Sequence, residues 1–409
     1  MTTQKGLIMH AGEISNLAQA QSLGEFHLDQ DCLFVSGESC LLGHGIKHRF
    51  NLPIANTDYL VNELKAQLQA HQDDSENVIA FGVLPFCKYQ TAQFIIPKQV
   101  AKWDKSVFSQ WLNTQTADTT HQDNQLTEIR YLQDRAHFEQ TVSEAKHLFD
   151  KGLLEKIVLS KQVELGFEHP INGKHVLNQL LTQSQSGYHF AFPTEHDSVL
   201  MGVSPELLLR KQDETVTSNP LAGSIPRDPC SKVEAQRRSA LFNSKKDRYE
   251  HAVVIDDMRQ LLEPVCDNLS IPAEPSLLHT ATMWHLSTVI SGHLKDPNTH
   301  ILDLANQLHP TPALCGKPTK PAYQHILDLE GHGRDLFSGI IGWCDQHGNG
   351  EWVVVIRCGE LKAHVAKLFA GAGIVAASDP SSEWLETEAK LKTMLNALSV
   401  QQAYTQFNK

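Results

Sequence analysis

The 409-residue sequence lacks any apolar run approaching the roughly 20 residues that a membrane-spanning helix needs. Its early apolar run, Gly6-Leu7-Ile8-Met9, is too brief for the core of a secretory signal, so a cytoplasmic protein with no membrane partner is expected. Runs of Lys and Arg are also missing. Asp and Glu outnumber them 47 to 35, for a formal net charge of -12, which opposes nucleic acid or an anionic lipid surface as a partner. An anionic small molecule would need a local basic pocket. The eight cysteines are scattered, without a CxxC pair or a His/Cys spacing suited to zinc, and free thiols are expected. P-loop, G-x-S-x-G and HExxH patterns are absent, which removes the anchors of the common phosphate, serine-hydrolase and zinc-protease readings. There is no internal repeat, and no coiled-coil or apolar stripe calls for a second copy, so a monomer is expected.

What is present is the composition of an ordinary globular protein, 41% hydrophobic and 20% charged. Residues 1–125 carry short strand-like runs at 32–35 and 78–84 and a helical pattern over 58–71, but no functional constellation. The polar stretch 113–125 is expected to be a surface loop between two halves of one body. From Asp134 a helix is predicted, with Phe138, Val142, Ala145 and Phe149 on one face and Gly152 beyond its end. A strand over 155–161 follows, on which Lys156, Val158 and Ser160 share one side. Lys156 opens an otherwise apolar strand. It either snorkels from the strand end or has chemistry to do.

Glu206 enters the apolar run Leu207-Leu208-Leu209, where a carboxyl is costly unless paired, hydrogen-bonded or protonated. Desolvation would raise its pKa and suit a proton donor; a salt bridge to an arginine across the hairpin is the alternative. The stretch 220–227 sets small residues between two prolines, allowing a ligand close to the backbone. A long helical region over 231–262 places Asp247 and Glu250 one turn apart. Near the C-terminus, Asp379-Pro380 opens an amphipathic helix on which Glu383, Glu386 and Lys390 fall at i, i+3 and i+7. Each acidic pair is either a solvated face or half of a cage for a hard cation such as Mg²⁺.

His285, between Trp284 and Leu286, reads as a satisfied core histidine, and the proline-stiffened loop 309–316 as a pocket wall. A strand over 352–358 carries Arg357 and is expected to pair with a returning strand over 365–375. Gly371 to Ala376 formally fits a dinucleotide fingerprint, but the acidic helix that follows leaves no second strand with a ribose-binding acid.

The motifs KIVLSK, SPELLLR, PLAGS, KDRYEH, WHLST, HPTPALCG, GEWVVVIRC, LFAGAGIV and EWLETEAKL occur in the order found in the chorismate-utilising enzymes. The sequence resembles that family over about 130–398, most closely its isochorismate synthases. The resemblance implies a single large chorismate-binding fold of α/β (α+β) class: two stacked, mostly antiparallel sheets flanked by helices, with residues 130–398 catalytic and 1–125 completing the same fold. It also implies interconversion of chorismate and isochorismate by water addition at C2 and loss of the C4 hydroxyl.

Matched by motif, Lys156 resembles the general base and Glu206 the general acid. Glu250 and Glu386 resemble the direct Mg²⁺ ligands, with Asp247 and Glu383 holding its water. Arg357 and Lys390 would supply positive charge to the dianionic substrate, Gly223, Ser224 and Gly371 backbone contacts, and Ala313 a wall near the ring. Anthranilate synthases carry glutamine where Lys156 stands, and aminodeoxychorismate synthases a lysine where Ala222 stands, so this pairing favours water as the nucleophile. Salicylate synthases share both features and remain the alternative, as does a catalytically silent carboxylate-binding protein. The TPALCG loop resembles the siderophore-pathway branch. Lys245, where relatives often carry an acid, is a departure.

Overall fold

The computed structural model describes residues 24–72, 77–116, 124–184 and 186–407. Seventeen strands join one large antiparallel sheet and three form a small second one. Taken from neighbour to neighbour, the large sheet begins Leu126–Tyr131, Lys156–Phe167, Val365–Ile374, Cys358–Lys362, Val199–Ser204, Tyr188–Pro193, Cys32–Ser36 and Ser39–Pro53. It continues through Thr91–Asp104, Ile79–Leu84, Ile340–Asp345, Gly350–Val354, Leu207–Gln212, Thr215–Asn219, Ile290–Leu294 and Cys266–Ser270. The short strand Gly316–Lys317 pairs with the start of the Lys156–Phe167 strand.

The two halves turn apolar faces toward each other. Phe34, Phe190, Cys358 and Phe369 of one half pack with Phe81, Ile95, Ile341 and Val353 of the other in a single buried cluster. The two stacked layers expected are therefore two halves of one sheet, made continuous by the long pairing of Ser39–Pro53 with Thr91–Asp104. On one outer face, Trp111, Leu177, Leu391 and Leu395 bring the helices Lys105–Thr116, Gly173–Gln183 and Pro380–Ala397 onto Leu165, Ala191 and Leu368. On the other, Leu60, Val254, Met258 and Ala305 bring Thr57–Ala70, Lys245–Leu262 and Ile301–Leu308 onto Phe94, Leu209 and Trp352. No helix among the described residues is long and apolar enough to cross a membrane. All eight cysteines are free thiols.

Three local readings change. The helical region 231–262 is two helices, Ser231–Asn243 and Lys245–Leu262, broken at Ser244. The Ser244 hydroxyl accepts the Asp247 N–H at 3.2 Å, so Asp247 and Glu250 sit in the first two turns of a freshly capped helix. The strand expected over 352–358 ends at Val354, and Cys358–Lys362 is a separate strand paired with Val365–Ile374. Arg357 lies in the break with φ of +53°. In the polar stretch, residues 113–116 finish a helix; residues 117–123, like Gly6–Met9, lie outside the described residues.

Candidate active site

The strand Lys156–Phe167, the loop before Leu207–Gln212, the two acidic helices and the break at Arg357 converge on one pocket. Its lining includes Glu206, Gly223, Ser224, Glu250, Ala313, Arg357, Gly371, Glu386 and Lys390. Lys156 does not snorkel. It is fully buried, with its Nζ 3.0 Å from Glu250 Oε1. Lys390 Nζ lies 2.6 Å from Glu386 Oε1 and donates to the Gly371 carbonyl at 2.8 Å. Asp247 and Glu383 stand behind these groups: Asp247 packs against Gly223, where an added Cβ would come within 2.8 Å of it, and Glu383 is paired with Lys246 at 2.7 Å. At φ of +73°, Gly223 adopts a conformation that other residues rarely take.

Glu206 and Glu250, both buried and both acted on by the Lys156 charge, are shifted in opposite directions. Burial pushes Glu206 up to about 7, against the lowering effect of a Leu221 backbone N–H and the charges of Lys156, Arg357 and Lys390. Among the described residues no arginine forms a salt bridge with it; Arg210, the candidate across the hairpin, pairs with Glu351 instead. Burial would also raise Glu250, but Lys156, Lys246 and Lys390 together hold it below the ordinary carboxylate value. One carboxyl is thus able to keep a proton near neutral pH and the other is an anion, the separation that acid–base chemistry requires. Burial lowers Arg357 to about 10, leaving it cationic at neutral pH, and its buried Nε has no hydrogen-bond partner.

Sequence reasoning missed three features. His285 is buried as expected but faces the pocket: Ser224 Oγ sits 2.8 Å from its Nδ1, while Nε2 has no partner. Burial keeps its ring pKa well below the ordinary value, so the imidazole is neutral. Cross-strand register, which sets His285 opposite Ser224, decides this. Phe337 and Ser338 form another wall, in a segment that carried no motif. Gly373 is the most tightly constrained glycine in the pocket, because a Cβ there would lie 2.2 Å from Glu250 Oε1 and 3.2 Å from Lys156 Cε. Gly373→Ala should therefore drive the Lys156–Glu250 pair apart, cutting turnover on the order of 10²-fold and lowering the melting temperature as well. Steady-state kinetics beside a thermal melt would check this; unchanged kcat would mean that the pair's placement does not matter.

The donor set suits a hard divalent cation. Asp247 is raised by burial and then by the charges of Glu250 and Glu386, and Glu383 by burial and then by Glu386, so the four carboxylates act on one another across one space. Among the described residues no three such side chains converge as a preformed metal cluster. Glu250, Glu386 and Glu383 are each turned toward a lysine. A wider surface cleft lined by Tyr89, Glu195, Glu360 and Lys367 lacks this chemistry, since Lys367 is paired with Asp335, Glu360 accepts from Ser198, and Glu195 accepts from Asn51.

The fold is thus a two-layer antiparallel sandwich whose pocket brings a desolvated glutamic acid together with carboxylates from two helices and the cations Arg357 and Lys390. The profile of the chorismate binding enzyme family matches residues 67–399, and the chain belongs to that family. It is similar to the vibriobactin-specific isochorismate synthase of Vibrio cholerae, at 40% identity over 90% of this chain and 91% of the relative. Isochorismate synthase DhbC of Bacillus subtilis is 41% identical over 82% of this chain and 84% of its own. The crystal structure of DhbC from Bacillus anthracis superposes with a TM-score of 0.84 at 35% identity, covering 93% of this chain and 99% of that one.

Proposed function

We propose that the protein is an isochorismate synthase, an isomerase that adds water at C2 of chorismate as the C4 hydroxyl leaves. The observation that carries this reading is a pocket lined by two glutamates, Glu250 held by the fully buried Lys156 just behind it and Glu206 pushed by burial up to about 7. Lys156 takes a proton from the attacking water, whose oxygen bonds to C2; the ring double bond shifts, and Glu206 gives its proton to the hydroxyl departing from C4. Arg357 can fork onto the pyruvyl carboxylate, and Lys390 faces the ring carboxylate. Gly223, Ser224 and Gly371 contribute backbone contacts, and Ala313 packs beside the ring.

Glu250 and Glu386 would hold Mg²⁺, with Asp247 and Glu383 at its water, and charge neutralisation of the ring carboxylate is what the ion would supply there. The likeness to the vibriobactin-specific enzyme and to the 2,3-dihydroxybenzoate-specific DhbC supports a place in catechol siderophore synthesis, by way of 2,3-dihydroxybenzoate. We further propose that it works in the cytoplasm as a monomer.

Purified protein incubated with chorismate and Mg²⁺ should yield isochorismate by chromatography, and a chelator should abolish the product. Prompt pyruvate and salicylate would instead assign the salicylate synthase reaction, and no turnover would leave a carboxylate-binding protein. Because Glu206 must carry a proton and Lys156 must lack one, log kcat/KM should bend downward at about 7, where Glu206 ionises, its slope dropping by one per pH unit. A profile with no bend near 7 would remove Glu206 from the acid role.

A further inference from the structure

We propose that Arg334, held by Glu330, is a positioning residue that fixes three walls of the pocket relative to one another. The inference rests on the isochorismate synthase reading for its kinetic part and on geometry alone for the rest. The Lys156–Phe167 strand is paired on one edge along almost its whole length by Val365–Ile374. On the other edge Gly316–Lys317 covers its first two residues and Leu126–Tyr131 begins only at Val163. Between them the Val158 N–H still reaches the Cys315 carbonyl at 2.7 Å and the Gln162 carbonyl the Leu132 N–H at 3.1 Å, but the carbonyl of Val158, which lines the pocket, and the Ser160 N–H face no strand. Exposed backbone groups inside a protein must find partners.

Arg334 and Glu330 fill the place of the missing strand. The guanidinium forks onto Glu330, with Nε to Oε2 at 2.9 Å and Nη2 to Oε1 at 2.5 Å. Its Nη2 also donates to the Val158 carbonyl at 2.7 Å and its Nη1 to the Leu314 carbonyl at 2.9 Å, while Glu330 Oε1 accepts the Ser160 N–H at 2.7 Å. The Arg334 backbone carbonyl accepts the Phe337 N–H at 2.8 Å, and the Phe86 ring stacks 4.4 Å from the guanidinium. Val158, Leu314 and Phe337 each line the pocket from a different segment, and one buried residue ties them together, the first two through its guanidinium and the third through its backbone carbonyl. Arg334 touches no reacting atom. Lysine cannot replace it, because a single ammonium lacks the planar fork that reaches the carboxylate and two carbonyls at once.

The test compares Arg334→Lys with wild type and with Arg210→Lys, which alters an ion pair to Glu351 that joins none of these walls. Arg334→Lys should lose kcat on the order of 10²-fold with KM for chorismate within about threefold, because the anchors Arg357 and Lys390 lie on other segments. Arg210→Lys should lose stability without losing kcat. If Arg334→Lys does not fold, the doubly neutral Glu330→Gln/Arg334→Gln variant avoids a buried unpaired charge and should show the same split. Wild-type kcat in either variant, measured well below its melting temperature, would overturn the proposal. Amide hydrogen exchange needs no turnover: peptides spanning 313–316 and 335–339 should exchange faster in Arg334→Lys than in wild type, and unchanged exchange would overturn it. Failure of wild type to make isochorismate would refute the proposed function and leave the exchange result standing.

Discussion

Replacing Glu206 by glutamine should lower kcat by about 10²–10⁴-fold while leaving KM for chorismate within a few-fold, and should make the protein more stable at pH 8. Glutamine has the same shape and still accepts the Leu221 N–H, but it has no proton to give to a departing hydroxyl. The stability gain follows from linkage. The carboxyl titrates at about 7 in the folded protein against an ordinary value of 4.5, so between these values the folded state binds more protons than the unfolded state. Stability therefore falls as pH rises from 4.5 to 7, by about 3 kcal/mol over the interval, and glutamine is spared that loss. Denaturant melts at pH 5 and pH 8 should show the variant's advantage growing with pH. A variant that kept wild-type turnover, or was destabilised at pH 8, would contradict the assignment of a protonated acid.

Lys156→Ala should have the larger combined effect. It removes the base, for a loss of about 10²–10⁴-fold in kcat, and it also leaves Glu250 buried without its nearest cation. Breaking a buried pair usually costs about 3–5 kcal/mol, and the lower end applies here because Lys246 and Lys390 still act on Glu250. Activity and stability should therefore fall together, in contrast to Glu206→Gln, where they part. Fluorescence-monitored unfolding beside initial rates distinguishes the two. A folded Lys156→Ala enzyme of full activity would mean that water is activated elsewhere.

Much of this was legible from residue patterns, and the exceptions have physical causes. The helix Arg135–Asp150 begins where Asp134 caps it, accepting the His137 N–H at 2.8 Å, and Gly152 follows with φ of +68°. Glu206 stood out because a carboxyl beside three leucines is an anomaly that any fold must answer. The break at Arg357 gave no such signal. It depends on Val203 donating to the Arg357 carbonyl and on Gly202, where a Cβ would come within 2.7 Å of that carbonyl, in a strand far earlier in the chain that the sequence alone does not reveal as a neighbour.

Ser244 was a readable cap, but strong helix formers on both sides hid it. The alternation around His285 predicted burial, which is what period two encodes, and could not say that the ring would face Ser224 and the pocket. Arg334 and Glu330 were silent for a similar reason: their four-residue spacing reads as a surface ion pair unless the gap in the neighbouring strand is known.

Turnover in water enriched in heavy oxygen tests the central claim most directly. If Lys156 activates solvent for attack at C2 while Glu206 releases the C4 hydroxyl, mass spectrometry should find isochorismate carrying one solvent oxygen, located at C2. Isochorismate that kept only the oxygens of chorismate, or a product from which pyruvate had already been lost, would contradict it.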